Sequence, residues 1–378
     1  MVSSAFFWAG LFLAALAAAG CLFQIAAIIA LSRFFAAQPA LAGDMVGVTL
    51  LKPLYGAEPR LDANLDSFLE QDYLGSIQMV CGVADRSDAA MAVAYRLQGD
   101  HPGRDITVVA GSDRTFANRK IANLANMLAA ARHEVLVLSD SDMAASPEYL
   151  RAVTAALAEP GVGAVTCAYR GRGDTGLWSL LSAGGISYVA LPGVVLGYVA
   201  GMARPCMGST IAFTRETLRA IGGFERFADV LADDYAMGEA VAEIGQRVVI
   251  APVLLTHGCT ETSFGALWRQ KLRWSATIRG VAPWRHLGSI VTYPLPLALL
   301  AAAISPTLGL PLVLASVAIR FALAAVVDRH ADRASAPYLL LPLIECVEFL
   351  AFAGSFVARK IDWRGSPLTI RRDGRIAV

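Results

Sequence analysis

The sequence predicts an α/β fold: a parallel, doubly wound sheet set between apolar segments long enough to cross a membrane. Three observations carry this. Between about residues 44 and 275, short apolar runs alternate with segments of helical spacing, the pattern of strand–helix–strand units. Of the 378 residues, 56% are hydrophobic and only 17% charged, too apolar for a chain that lives wholly in water. The run Val135-Leu-Val-Leu-Ser-Asp-Ser-Asp142 reads as a buried strand that delivers two aspartates, one residue apart, at its end. On an extended chain Asp140 and Asp142 point the same way, and two such carboxylates repel unless a cation lies between them. Hard oxygen donors suit Mg²⁺ or Mn²⁺, ions that commonly arrive with phosphate groups. A strand end is also where open α/β sheets hold their ligands. Taken alone, Asp-x-Asp is equally well an Asp-rich turn, since Pro147 lies close behind it.

The chain begins with an uncharged stretch, residues 1–32, apolar from 5 to 31 and closed by Arg33. Its length and the missing basic start argue for a spanning helix rather than a signal peptide. Arg33 then puts the next segment of the chain in the cytoplasm. Residues 46–51 read as a strand ended by Lys52-Pro53, 64–70 as a helix, and 77–83 as a strand closing on Asp85. Residues 89–98 read as a helix, 106–109 as a strand, and 120–131 as the helix that leads into the 135–138 strand. Right-handed crossovers bring the strand ends at Lys52, Asp85 and Asp140 to one rim.

Residues 162–168 form a further strand, and 177–203 an apolar, Gly-rich stretch expected to lie in the membrane interface or line an apolar groove. The segments 210–214, 216–221 and 222–224 follow, and a helix opened by Ala232-Asp-Asp-Tyr235 and a strand at 248–251 complete the 44–275 domain. The 289–358 region returns to the membrane: apolar runs at 290–304 and 307–327 form a hairpin, and 338–358 is a third run carrying Glu345 and Glu348. Residues 359–378 are a basic tail. A third full span would send that tail outside, whereas its charge favours the cytoplasm, so the last run is either re-entrant or an exception.

The net charge of +1 and the lack of a basic stripe with interleaved aromatics argue against a nucleic-acid partner. The six cysteines are scattered without Cys-x-x-Cys spacing, as expected of reduced, buried thiols and not of a zinc site.

Four polar stations stand in order along the chain: Val83-Ala-Asp85, Asp140-Ser-Asp142, Asp233-Asp234, and Gln270-Lys-Leu-Arg273-Trp274. A strand-end aspartate such as Asp85 can accept hydrogen bonds from a base or ribose. Asp234, opening a helix beside apolar sequence, can deprotonate an acceptor hydroxyl. Arg273 offers a planar fork for phosphate oxygens, and Trp274 a flat face for a ring or lipid edge. Each has a bland alternative, a helix cap for Asp233 and Asp234 or a juxtamembrane anchor for Arg273.

This order is similar to that of processive and lipid-linked inverting glycosyltransferases of the GT-A fold. Leu50-Leu-Lys-Pro-Leu54, Asn118-Arg-Lys-Ile-Ala-Asn123, Ala232-Asp-Asp-Tyr235 and the Arg-Trp end resemble the ceramide glucosyltransferase family, glycosyltransferase family 21. Thr166-Cys-Ala-Tyr-Arg-Gly171, Leu272-Arg-Trp274 with Thr277-Ile-Arg279, and Val291-Thr-Tyr-Pro-Leu295 resemble its bacterial hopanoid-biosynthesis branch. The resemblance implies that Asp85 contacts uridine, Asp140 and Asp142 serve a metal–diphosphate, and Asp234 is the general base. It also implies that Lys120, Asn123, Gln270, Arg273 and Trp274 serve the donor. The ceramide enzymes keep the first aspartate of the central pair but not the second, so the better metal ligand of the two stays open.

The implied reaction moves a sugar from a UDP-sugar to a membrane-lipid hydroxyl, on the cytoplasmic side of a bacterial inner membrane. N-acetylglucosamine onto bacteriohopanetetrol is the first expectation, and glucose onto ceramide the alternative. A lipid transporter or flippase is a remote third reading, suggested by Arg320, Glu345 and Glu348 inside apolar runs. It leaves the large α/β insert unexplained.

Overall fold

A computed structural model describes residues 2–36, 46–111, 116–358, 361–363, 366–370 and 376–377, the last three segments and residues 2–4 as backbone only. The chain divides into two compact units. A sheet unit gathers residues 37–169 and 201–258; an apolar unit gathers 1–36, 170–200 and 259–377. Residues 170–200 and 259–275, read from the sequence as part of one 44–275 domain, thus group with the apolar helices.

Eight strands form the main sheet: β1 (Val48–Leu54), β2 (Ile77–Val83), β3 (Asp105–Ala110), β4 (Val135–Leu138), β5 (Met143–Ala144), β6 (Val162–Gly173), β7 (Ile211–Thr214) and β8 (Arg247–Cys259). Their order is β3-β2-β1-β4-β7-β6-β8-β5. β1 runs parallel to β2 and β4, and β2 parallel to β3. Leu54 pairs with Val83 and Leu51 with Leu138, so the C-terminal ends of β1, β2 and β4 share one rim, as expected. Val48, Leu50, Leu51, Leu136, Val137 and Leu138 are buried, because helices cover both faces of a parallel sheet and leave no wet side.

Two expectations need correction. Lys52-Pro53 does not end β1, which continues to Leu54. β4 pairing stops at Leu51, so Pro53 lies where the strand is bonded on one side only and a missing N–H is tolerated. Nor is the sheet parallel throughout, because β7 lies antiparallel to β4 and β5 antiparallel to β8. The chain enters β7 from the rim itself, where the Gly208 carbonyl accepts from Asp140 N, so β7 can only run back down the sheet.

In the apolar unit the helix Val2–Ala36 buries Gly10, Ala14, Ala17, Gly20, Cys21, Gln24 and Ala27 on one face and turns Phe7, Trp8, Phe12, Leu22, Ile25 and Ile29 outward. Small residues let helices approach closely, as membrane helices do. A Cβ at Gly20 would sit 2.7 Å from the Val291 carbonyl. Among the described residues, four helices are long and apolar enough to cross a membrane, including Leu177–Val199 and Tyr338–Ser355. The apolar window of Leu177–Val199 is 72% buried inside the protein, and its middle is a π-turn, Ile186–Ala190. The expected hairpin is uneven: Pro306–Ala331 is a long arm, whereas Pro294–Ile304 is short and bent by 68° from Pro283–Thr292.

These breaks free backbone groups, and buried charges satisfy them. Arg320 donates to Glu345 Oε2 at 2.7 Å, to the Thr292 carbonyl at 2.8 Å and to the Tyr188 carbonyl. Glu345 Oε1 accepts from Leu295 N at 2.8 Å. The arginines and lysine of the basic tail (Arg359, Lys360, Arg364, Arg371, Arg372 and Arg375) lie outside the described residues.

Candidate active site

Beyond Leu138 the chain leaves β4 and turns, so the Asp-x-Asp pair lies past the strand and not on it. The two carboxylates therefore do not simply point the same way but take different partners. Asp140 Oδ1 is 2.6 Å from Lys120 Nζ, and Asp142 Oδ2 is 3.2 Å from His257 Nε2 on β8. Asp142 Oδ1 is buried without a hydrogen-bond partner. Burial pushes the Asp142 carboxyl up, but His257, Lys52 and Lys120 outweigh it and hold the group below the usual carboxylate range. Burial pushes Asp140 up, and Lys120 only partly offsets this.

Lys52 explains how the turn is held. Its Nζ, fully buried, donates to the Asp140 carbonyl at 2.9 Å and to Ser139 Oγ at 3.2 Å, and lies 3.5 Å above the Phe68 ring. Burial pulls its pKa down to about 7. From the other side Asn64 donates to the Ser141 carbonyl, and Ser141 Oγ donates to Glu58.

Lys120 comes from the helix Arg119–Met127, whose N-cap is Asn118, with its side chain accepting from the backbone N–H groups of Lys120 and Ile121. Asn118 Nδ2 also donates to Asp233 Oδ1 at 3.3 Å, and Lys120 Nζ lies 3.7 Å from Asp233 Oδ2. Burial alone would lower the Lys120 pKa, but Asp140 and Asp233 raise it, so it stays charged.

Asp233 and Asp234 open the helix Asp233–Glu243, whose N-cap is Ala232 with no side-chain bond; Asp233 is thus not the cap. Asp233 is 7% exposed and turned toward Asn118 and Lys120, whereas Asp234 is half-buried. Asp234 Oδ2 accepts from Gly208 N at 3.1 Å and Oδ1 from Tyr235 N. Burial and then the charge of Asp233 push its pKa up to about 6. Gly208 is the hinge of the cluster, since its carbonyl bonds Asp140 and its N–H bonds Asp234. A Cβ there would stand 2.8 Å from Asp140 Oδ2 and 3.1 Å from Lys120 Nζ, so glycine keeps this space open.

The other expected residues are spread over both units. Asp85, exposed beyond β2, accepts from Ser87 N and Ser87 Oγ, both at 2.8 Å, which lowers its pKa. Asn123 is buried, its Nδ2 donating to the Gly82 carbonyl at 2.8 Å. Gln270, Arg273 and Trp274 lie on the helix Phe264–Val281 of the apolar unit. There Ser182 Oγ donates to Gln270 Oε1 at 2.9 Å, and Lys271 Nζ lies 5.6 Å from the Trp274 ring. Sequence reasoning misses His257, Gly208 and the burial of Lys52.

Among the described residues no three His, Cys, Asp or Glu are arranged to hold an ion unaided. Mg²⁺ commonly takes one or two carboxylates plus substrate phosphates, so the unpartnered Asp142 oxygen beside Asp140 fits an ion that enters with a diphosphate.

Residues 12–376 match the family described as Glycosyl transferase family 21. The chain is 25% identical over 222 residues to ceramide glucosyltransferase 1 of Caenorhabditis elegans, covering 57% of this chain and 46% of that protein. It is 30% identical over 101 residues to the ceramide glucosyltransferase of Komagataella phaffii, 26% of this chain and 20% of that one. It thus spans about half or less of the length of these relatives. A mannosyltransferase from Pyrobaculum calidifontis, solved with GDP-mannose and Mn²⁺, superposes with a TM-score of 0.51 at 21% identity, over 91% of this chain and 99% of its own. That likeness gives the fold, the GT-A type.

Proposed function

Because the chain belongs to glycosyl transferase family 21, we propose that it is a membrane enzyme that transfers a sugar from a UDP-sugar to a lipid hydroxyl with inversion. One observation carries the reading. A half-buried carboxylate with a raised pKa, Asp234, is joined through Gly208 to the Asp140–Asp142 turn, which supports a base adjoining a metal–diphosphate site at one sheet rim. Inversion needs no more than this: a base on the acceptor hydroxyl and a stabilised leaving group on the opposite face of the sugar.

In this reading Asp140 and Asp142 would hold Mg²⁺ or Mn²⁺, with His257 beside Asp142 Oδ2, and the bound ion would supply positive charge for the leaving diphosphate. Asp85 receives the uridine; Lys120, Arg273, Gln270 and Trp274 attend the donor. Asn123, bonded to Gly82, supports the β2 end that carries Asp85. Asp234 takes the proton of the acceptor hydroxyl. The chain sits in a bacterial inner membrane with the sheet unit in the cytoplasm.

For the substrates, the Thr166–Gly171, Leu272–Arg279 and Val291–Leu295 motifs favour UDP-N-acetylglucosamine and bacteriohopanetetrol. The names of the curated relatives favour UDP-glucose and ceramide. A transport reading loses its ground, since Arg320 and Glu345 bond each other and freed backbone, and Glu348 pairs with Lys271 at 2.7 Å. The test is to incubate the purified protein with each UDP-sugar and each lipid and weigh the products. A glycolipid from one pair identifies the reaction, and no glycolipid from any pair overturns the substrate proposals.

A further inference from the structure

We infer that Lys120 is a built-in counter-ion that competes with the divalent ion at Asp140, so that the ion binds tightly only together with a nucleotide diphosphate. The inference rests on the metal site proposed above and adds an order to its filling. Lys120 Nζ stands 2.6 Å from Asp140 Oδ1 and 3.7 Å from Asp233 Oδ2, with its side chain 21% exposed. Asp233 Oδ2 has no hydrogen-bond partner of its own, and this ammonium lies within ion-pair distance of it. A divalent ion arriving alone at Asp140 meets a lysine already in contact with that carboxylate. Either the ammonium leaves three clustered aspartates without compensation, or two cations share one oxygen pair. Both are unfavourable where water is scarce.

A diphosphate changes the balance. It offers the ammonium new oxygens, and a lysine is a mobile point charge on a flexible stem that can follow them. The base of Lys120 is fixed by the Asn118 cap, while its end is held by ion pairs with Asp140 and Asp233. Lys52 is its opposite: locked by Ser139, the Asp140 carbonyl and the Phe68 ring, it stays put whatever binds. The missing side chain at Gly208, with a Cβ position 3.1 Å from Lys120 Nζ, leaves space beside the ammonium.

The test tracks free Mn²⁺ by electron paramagnetic resonance, titrating the full chain in detergent with and without UDP. For the unaltered protein we expect weak Mn²⁺ binding alone and much tighter binding with UDP. Lys120→Met should bind Mn²⁺ alone about tenfold tighter or more, as removal of a contacting like charge requires, and should gain less from UDP. Mn²⁺ affinity without nucleotide that is equal or weaker in Lys120→Met overturns the inference. Lys120→Gln, which keeps a donor, should move the same way and serves if the Met variant does not fold. Asp142→Asn run in parallel separates the two layers. If it abolishes Mn²⁺ binding while Lys120→Met changes nothing, the metal site stands and the counter-ion role falls. If it leaves Mn²⁺ binding intact, Asp142 is not a ligand, and the Lys120→Met result alone decides the counter-ion role at Asp140.

Discussion

Replacing Asp234 by Asn tests the base, and replacing Asp233 tests the reason that base is tuned. Asp234 is pushed up to about 6 by burial and by the charge of Asp233. A base works only when ionised, so its raised pKa places the acid limb of kcat/KM near pH 6, with activity lost as pH falls through that value. About nine tenths of the carboxylate is ionised at pH 7 and about one tenth at pH 5, a roughly tenfold fall in rate over that interval. Asp234→Asn removes the base and should cost about 10²–10⁴-fold in kcat at pH 7, with UDP binding retained and the acid limb abolished. Asp233→Asn should keep most activity. Because the lost charge is one that raises Asp234, the acid limb should move to lower pH. Initial rates of UDP release between pH 5 and 8, with UDP binding by calorimetry, read both variants. An Asp233→Asn enzyme that is dead, beside an active Asp234→Asn enzyme, would refute the assignment. An Asp233→Asn limb shifted to higher pH would refute the electrostatic argument alone.

Asp142→Asn keeps shape but removes a hard anionic ligand, so turnover should collapse while thermal unfolding barely moves; full activity in EDTA would sink the metal assignment. Arg273→Lys keeps charge and loses the planar fork, so KM for the UDP-sugar should rise severalfold. An unimpaired lysine variant would make Arg273 a surface anchor. Gly185→Ala would place a Cβ 1.7 Å from Glu348 Oε1 and 2.8 Å from Lys271 Nζ, prising apart a buried ion pair. That should destabilise the protein by about 3–5 kcal/mol in detergent melts, and an unchanged melting temperature would show that the pair relaxes freely.

Much of the sheet was legible because buried parallel strands are continuous apolar runs: the 77–83 strand has the expected bounds, and the 135–138 strand is the expected centre. Legibility failed where context overrides local signals. Lys52-Pro53 looks like a strand end, yet the proline falls beyond the last β4 partner and the lysine is buried on Phe68. β6 and β8 run past the expected 162–168 and 248–251 because polar residues such as Arg170 and His257 are carried inside them. The helix Tyr149–Leu157 escapes the sequence reading altogether.

At the rim, the order along the chain singles out Asp140, Asp142, Asp233 and Asp234, which the structure draws together, but not their partners. His257 arrives on β8 and Gly208 at the mouth of β7, more than sixty residues beyond the turn they serve. Nothing near them in sequence announces that approach. The charges inside the apolar runs show the same limit. Arg320, Glu345 and Glu348 read as lone charges in apolar runs, but helix breaks around Thr292 and Tyr188 and the placement of Lys271 supply the partners.

The central claim is that this rim transfers a sugar to a lipid through Asp234. It is tested most directly by UDP release from UDP-glucose and UDP-N-acetylglucosamine, with the protein in bilayers with and without added ceramide or bacteriohopanetetrol. The account predicts release that depends on one of the lipids, matches glycolipid formed mole for mole, and is lost in Asp234→Asn. Release that ignores both lipids, or that persists in Asp234→Asn, would contradict it.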